Sequence, residues 1–146
     1  MNKIKSHEDL LIWQKSIELS FLIYQQTTSF PSHELFGMSS QIRRASTSIA
    51  SNIAEGFGRK SRVDFKRFLR ISLGSLNEVK TQLFLCSKLG YLSEEDQSKL
   101  YQLAEEISKM VHSILSRSLW EMSGDRNQTS GDRSQISEEK RQKTVP

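Results

Sequence analysis

Proline is almost missing from this chain: of 146 residues only Pro31 and Pro146 are prolines. A proline inside a helix removes a backbone hydrogen bond and collides with the preceding turn, so the span between these two positions is free of that breaker. Apolar residues in the first 120 or so positions recur every three or four residues instead of alternating. That period belongs to helices. Four long amphipathic segments joined by short connections predict an all-α, antiparallel four-helix bundle.

The first segment is expected over Ser6–Thr27. Ser6, with Asp9 three residues on, resembles a capping box built with the shorter acid. Leu10, Trp13, Ile17, Phe21 and Tyr24 form one apolar stripe, expected to fill the core. Ile12, Leu19 and Ile23 form a second line roughly 100° round the helix. Leu11 and Leu22 make a third patch. One bundle core cannot cover all of these faces, so Ile12, Leu19 and Ile23 are expected at an interface between copies of the chain. After the loop "TSFPSHELFG", a second helix is expected from about Ser39 to Glu55, with Met38, Ile42, Ala45, Ile49 and Ile53 as its seam. Small flanking residues would let a neighbour come close, and Gly56 and Gly58 would end it. The third helix should start at Ser61, again with an acid (Asp64) three residues later, and run to about Lys88. Gly90 should stop it. "SEED" opens the fourth, expected to reach about Trp120 through Leu100, Leu103, Ile107, Met110 and Ile114.

Composition changes after Met122. Residues 123–146 are polar, contain "SGDR" twice, and hold few large apolar groups. Such a segment cannot offset its ordering entropy, so residues 1–122 are expected to form the bundle and 123–146 a disordered tail.

Several function classes find no support. Cys86 is the single cysteine, which rules out an internal disulfide and argues against a thiol zinc site. It falls on an apolar face with no activating partner in view, as an inert buried thiol would. His7, His33 and His112 are far apart and lack ligand spacing, so no metal is expected. "GFGRKS" has neither the spacing nor the strand-to-helix setting of a phosphate-binding loop. No catalytic constellation and no cofactor site are visible, and an enzyme would need a site composed across subunits. Nothing resembles a signal peptide, and no apolar run nears the ~20 residues of a membrane span. A cytoplasmic, non-membrane protein is expected.

Charge placement is more informative. The formal net charge is +4, with a pI near 9.3. Residues 41–70 carry eight cations (Arg43, Arg44, Arg59, Lys60, Arg62, Lys66, Arg67 and Arg70) against two acids, Glu55 and Asp64. Residues 93–122 carry six acids against three cations. Arg62, Lys66 and Arg70 are spaced as one helical stripe, which Arg59 and Lys60 extend into a loop, while Arg67 points further round. Most of the eight are arginines, whose planar forks suit phosphate. This density points to an anionic partner, nucleic acid first, held by its backbone and with little sequence specificity. No aromatic-rich surface strip suggests base stacking.

With those residues on view, "LLIWQKSIEL", "SSQIRRASTSIASNIAEGFGRKSRVDFKRFLRISLGSLNEVKTQL" and "LGYL" resemble the four helix bundle proteins called 23S rRNA intervening sequence proteins. The resemblance covers about residues 8–118. Relatives include the accessory variability determinant proteins of diversity-generating retroelements, which form pentameric barrels and bind nucleic acid and a reverse transcriptase. The resemblance thus implies a non-enzymatic homopentamer that binds RNA or DNA, as an accessory factor to a reverse transcriptase or a similar RNA-handling partner. It marks Arg43, Arg44, Arg59 and Arg67 among the basic positions. Asn52 and Glu55 are expected to be structural, the first fixing helix register and the second holding the loop before Arg59. Relatives often carry proline where this chain has Ala50. The other reading is an interaction scaffold whose basic face docks an acidic protein.

Overall fold

The computed structural model describes residues 3–117. Among them the chain is all-α: α1 (Leu11–Thr27), α2 (Met38–Gly58), α3 (Arg62–Lys88) and α4 (Glu94–Ser116) form a four-helix bundle. Short 3₁₀ turns precede α1 (His7–Asp9) and α2 (Ser32–Glu34). The chain divides after His112. The bundle is described up to that residue, and Ser113–Ser116 finish α4, where the Ser116 hydroxyl and the Arg117 N–H donate to the Ser113 carbonyl. Trp120 and the 123–146 segment lie outside the described residues.

Several caps follow from sequence. Ser6 and Asp9 form the capping box, but it closes the 3₁₀ turn, and α1 starts after Leu10. The Ser61 hydroxyl accepts from the Asp64 N–H at 3.3 Å and starts α3. The Ser93 hydroxyl accepts from Asp96 N–H at 3.0 Å. At the head of α2, where Gly37 has no side chain to cap with, Glu34 Oε2 accepts from the Met38 N–H. Gly90 has φ 77°, the left-handed region that glycine enters freely, and it ends the α3 connection.

Two expectations are corrected. First, Ile12, Leu19 and Ile23 are not an outer line: at 1%, 0% and 1% exposure they are the part of the core that α1 supplies. Ile17, Phe21 and Tyr24, expected inside, are 43%, 60% and 44% exposed. Small polar residues explain the reversal. Ser16 and Ser20 lie on the inner face, where their size lets α2 approach. Ser16 donates to its own Ile12 carbonyl (2.6 Å), and Ser20 Oγ meets Ser46 Oγ of α2 at 3.1 Å. A buried hydroxyl satisfied this way carries little penalty, so a face judged by bulk alone is misassigned.

Second, α2 does not stop at Glu55: Gly56 lies within it, and Gly58 is its last residue, followed by Arg59 at the C-cap. Gly56 is buried, and a Cβ there would stand 2.6 Å from Phe68 Cβ. Its role is close approach of α2 to α3. The break itself falls at Lys60, whose φ is 54°.

The core joins the α1 set to Ile42, Ile49 and Ile53 of α2, Leu69, Leu76, Val79 and Leu83 of α3, and Leu100, Ala104, Ile107 and Val111 of α4. Serines stitch α2 to α3. Ser72 Oγ donates to the Ile49 carbonyl at 3.0 Å, and Ser48 and Ser75 hydroxyls meet at 2.9 Å. Asn52 Nδ2 donates to both the carbonyl and hydroxyl of Ser48, so the amide acts on this seam through Ser48. α2 runs unbroken through Ala50. No described helix is long and apolar enough to cross a membrane.

Candidate nucleic-acid interface

The antiparallel α2–α3 hairpin sorts the eight cations by its geometry. Arg44 and Arg59 are fifteen residues apart on α2 and its cap, about 22 Å along the axis. Arg43 and Arg44 therefore lie far from the other six, which gather at the turn.

Arg43 is engaged by α1. Its Nε donates to Thr27 Oγ1 at 2.7 Å, and its guanidinium lies 5.0 Å from the centre of the Tyr24 ring. Arg44 is exposed and makes no ion pair among the described residues. It lines a cleft of about 430 Å³ with Phe36, Ser40, Gln41, Ala45, Ser48 and Glu78.

At the turn end, Arg59 caps α2 and is tied to Glu55 four residues back. Its Nη2 and Nε lie 2.8 and 3.1 Å from Glu55 Oε1, which is the loop-holding role expected of that acid. Arg67 approaches Asp64 at 3.5 Å. Both guanidinium groups also sit over Phe68, at 5.5 and 5.2 Å from its ring centre. Contacts of this kind contribute roughly 0.5–1 kcal/mol at exposed sites. Their main effect here is to fix the spacing of two charges whose sequence separation is eight. Arg62, Lys66 and Arg70 occupy another side of α3, at successive turns of one stripe. Lys60, Lys66 and Arg70 make no ion pair among the described residues, whereas Arg62 is engaged. Two surfaces thus meet at the turn: an arginine pair ordered around Phe68, and a stripe in which Lys66 and Arg70 make no ion pair among the described residues.

Phe68 was not visible as a site residue. It reads as one more seam residue, and only the helix register brings Arg59 to it. Arg59 and Phe68 are one and eight residues from the turn at Lys60, so counting out from the turn does not pair them.

The acids of α4 are used elsewhere. Glu106 pairs with Lys15 of α1 at 2.9 Å, Glu105 with Lys80 of α3 at 2.7 Å, and Glu95 with Lys99 at 3.0 Å. The Lys80 hydrogen bond, and then its charge, holds the Glu105 carboxyl below its usual range. Cys86 is buried, and desolvation pushes its thiol up to about 11, which suppresses the reactive thiolate. Among the described residues no three His, Cys, Asp or Glu side chains gather where a metal could be held.

Comparison with known proteins agrees with this architecture. No curated protein sequence matches the chain. A crystal structure of a protein of unknown function from the S23 ribosomal protein family of Bacteroides thetaiotaomicron VPI-5482 is similar, with a TM-score of 0.66 and 32% identity. The match covers 73% of this chain and 100% of that one. Residues 8–113 match the family described as 23S rRNA-intervening sequence protein. The chain belongs to the 23S rRNA-intervening sequence protein family.

Proposed function

We propose that this protein binds nucleic acid through the phosphate backbone, at the turn end of the α2–α3 hairpin. The observation that carries the reading is the group of cations there that make no ion pair among the described residues: Lys60, Lys66 and Arg70, beside the Arg59–Phe68–Arg67 cluster. Six cations face two acids over residues 55–70. Such a surface attracts any polyanion and gains affinity from counterion release. The accessory role to a reverse transcriptase rests on the family resemblance alone.

A homo-oligomer accompanies this reading. Ile17, Phe21 and Tyr24 recur along one exposed face of α1, and burial against another copy would remove that face from water. A closed ring would repeat the cations and multiply weak contacts. The pentamer suggested by the resemblance predicts a mass of about five times the 16.8 kDa chain by light scattering. A monomer mass at micromolar concentration would remove the oligomer.

Binding is tested by replacing Lys60, Lys66 and Arg70 with glutamine and measuring RNA and DNA affinity across a salt series. Each lost phosphate contact should lower the log–log salt slope by about 0.7–0.9. Unchanged affinity and slope in a variant of native helicity would remove the proposal.

A further inference from the structure

The far end of the same hairpin holds a surface that backbone binding does not use. Phe36 is 93% exposed, the most exposed large apolar side chain among the described residues. It is not on a loose loop. Leu35 N–H donates to the Ser32 carbonyl, Gly37 N–H to the Glu34 carbonyl, and Met38 N–H to the Glu34 carboxylate. The backbone that carries the ring is therefore held by hydrogen bonds on both sides of it, at the rim of the cleft that contains Arg44, Gln41, Ser40, Ser48 and Glu78.

We propose that this cleft takes one unpaired nucleotide of a bound strand, with its base stacked on Phe36 and its phosphate on Arg44. The proposal rests on the nucleic-acid reading above and adds single-strand recognition to it. The volume, about 430 Å³, falls within the range of small-ligand pockets. An aromatic face accepts any base, and an exposed guanidinium beside it meets the attached phosphate. Glu78 adds discrimination. One of its oxygens accepts from Gln82 Nε2 at 3.4 Å, which leaves the other to accept from a base edge. A carboxylate there favours bases with an exocyclic amino group over uracil, whose Watson–Crick edge presents two carbonyl oxygens beside a single N–H. Gln41, Ser40 and Ser48 supply further hydrogen-bonding groups around the same space.

The test compares single-stranded homopolymers with duplex of the same length, using fluorescence anisotropy on the full chain. In a duplex the bases are already stacked and paired, so Phe36 has nothing to receive. Phe36→Ala should weaken single-strand binding roughly tenfold and leave duplex binding unchanged. Phe36→Trp should restore it. The native protein should prefer oligo(A) or oligo(C) to oligo(U) several-fold, and Glu78→Gln should narrow that preference. Unaltered single-strand binding in Phe36→Ala would overturn the proposal while leaving the turn-end reading to its own salt slope. Equal losses on duplex and single strand, or failure of the native protein to bind single strands, would also overturn it. A drop in mass by light scattering for Phe36→Ala would instead assign the ring to an interface between copies.

Discussion

The α2–α3 seam and the attachment of α4 are built by different means. α2 and α3 meet backbone to backbone: a Cβ on Gly56 would stand 2.6 Å from Phe68 Cβ, and the Ser72 hydroxyl reaches the Ile49 carbonyl. Glycine and serine make that possible: Gly56 against Phe68, Ser72 on the Ile49 carbonyl, Ser48 against Ser75. α4 reaches its neighbours through long side chains. Beyond its apolar seam it is tied by Lys15–Glu106, Lys80–Glu105 and the edge-on Phe84–Tyr101 ring pair, centres 5.2 Å apart. Close contact through small residues tolerates almost no added volume but carries no charge. Contact through long side chains tolerates volume but depends on ionisation. The seam that admits nothing is also the one that positions the candidate interface, since it brings Arg59 to Phe68, beside Arg67 on α3.

The largest expected effect tests this intolerance. Gly56→Ala would place a methyl 2.6 Å from Phe68 Cβ, an atom anchored directly to the α3 backbone, so the helices must part. Overpacking of this kind costs about 1–3 kcal/mol. A fall in melting temperature of several degrees by circular dichroism is expected. Gly74→Ala, on the same hairpin, meets nothing within 4 Å and should raise stability by about 0.5–1 kcal/mol through helix propensity. Equal responses at the two glycines would break the comparison.

The contrast also explains what could be read from sequence. Helix number, order and several boundaries were legible, because long apolar periods, an almost proline-free interior and serine caps at Ser61 and Ser93 are local signals. The facing of α1 was not. Its inner face is Ile12, Leu19 and Ile23 with Ser16 and Ser20 among them, while Ile17, Phe21 and Tyr24 of the bulkier stripe stay outside. Whether serine belongs inside depends on the partner that approaches it, and that partner is a non-local fact. The glycines misled for the same reason: Gly56 serves a contact twelve residues away on another helix. At the candidate site the cations were legible, but their order around Phe68 and the exposure of Phe36 needed the fold.

A second prediction concerns the turn that sets the seam. Lys60 has φ 54°, a conformation that costs a non-glycine residue about 1 kcal/mol or more. Lys60→Gly should therefore stabilise the protein, by somewhat less than 1 kcal/mol once the added freedom of glycine in the unfolded chain is counted. The same change removes a free cation, so stability should rise while the salt slope of nucleic-acid binding falls by about 0.7–0.9. The two readouts moving in opposite directions would separate the lysine's charge from its backbone role. A loss of stability would show that the turn does not carry this strain.

The smallest effect concerns pH. Glu105 is held below its ordinary pKa by Lys80, so its contribution is present above the unfolded carboxyl value and is lost as pH falls through the depressed one. Lys15 is raised, first by its hydrogen bond to Glu106, so its contribution is complete below the unfolded lysine value and is lost as pH rises through the higher one. Each tie needs an ionised carboxylate and a charged lysine, so both are intact between about pH 5 and pH 10. Both pairs are partly exposed to solvent and screened by salt, so only a shallow change is expected. The hydroxyl contacts between α2 and α3 do not titrate in either range. Hydrogen exchange, corrected for intrinsic rates, should show α4 losing protection as pH is lowered towards about 3, before α2 and α3 do. Glu105→Gln should reduce that early loss, and Glu105→Gln with Glu106→Gln should abolish most of it. A uniform loss across all four helices would mean that α4 is held by its apolar seam alone, and that the ion pairs add nothing to the bundle.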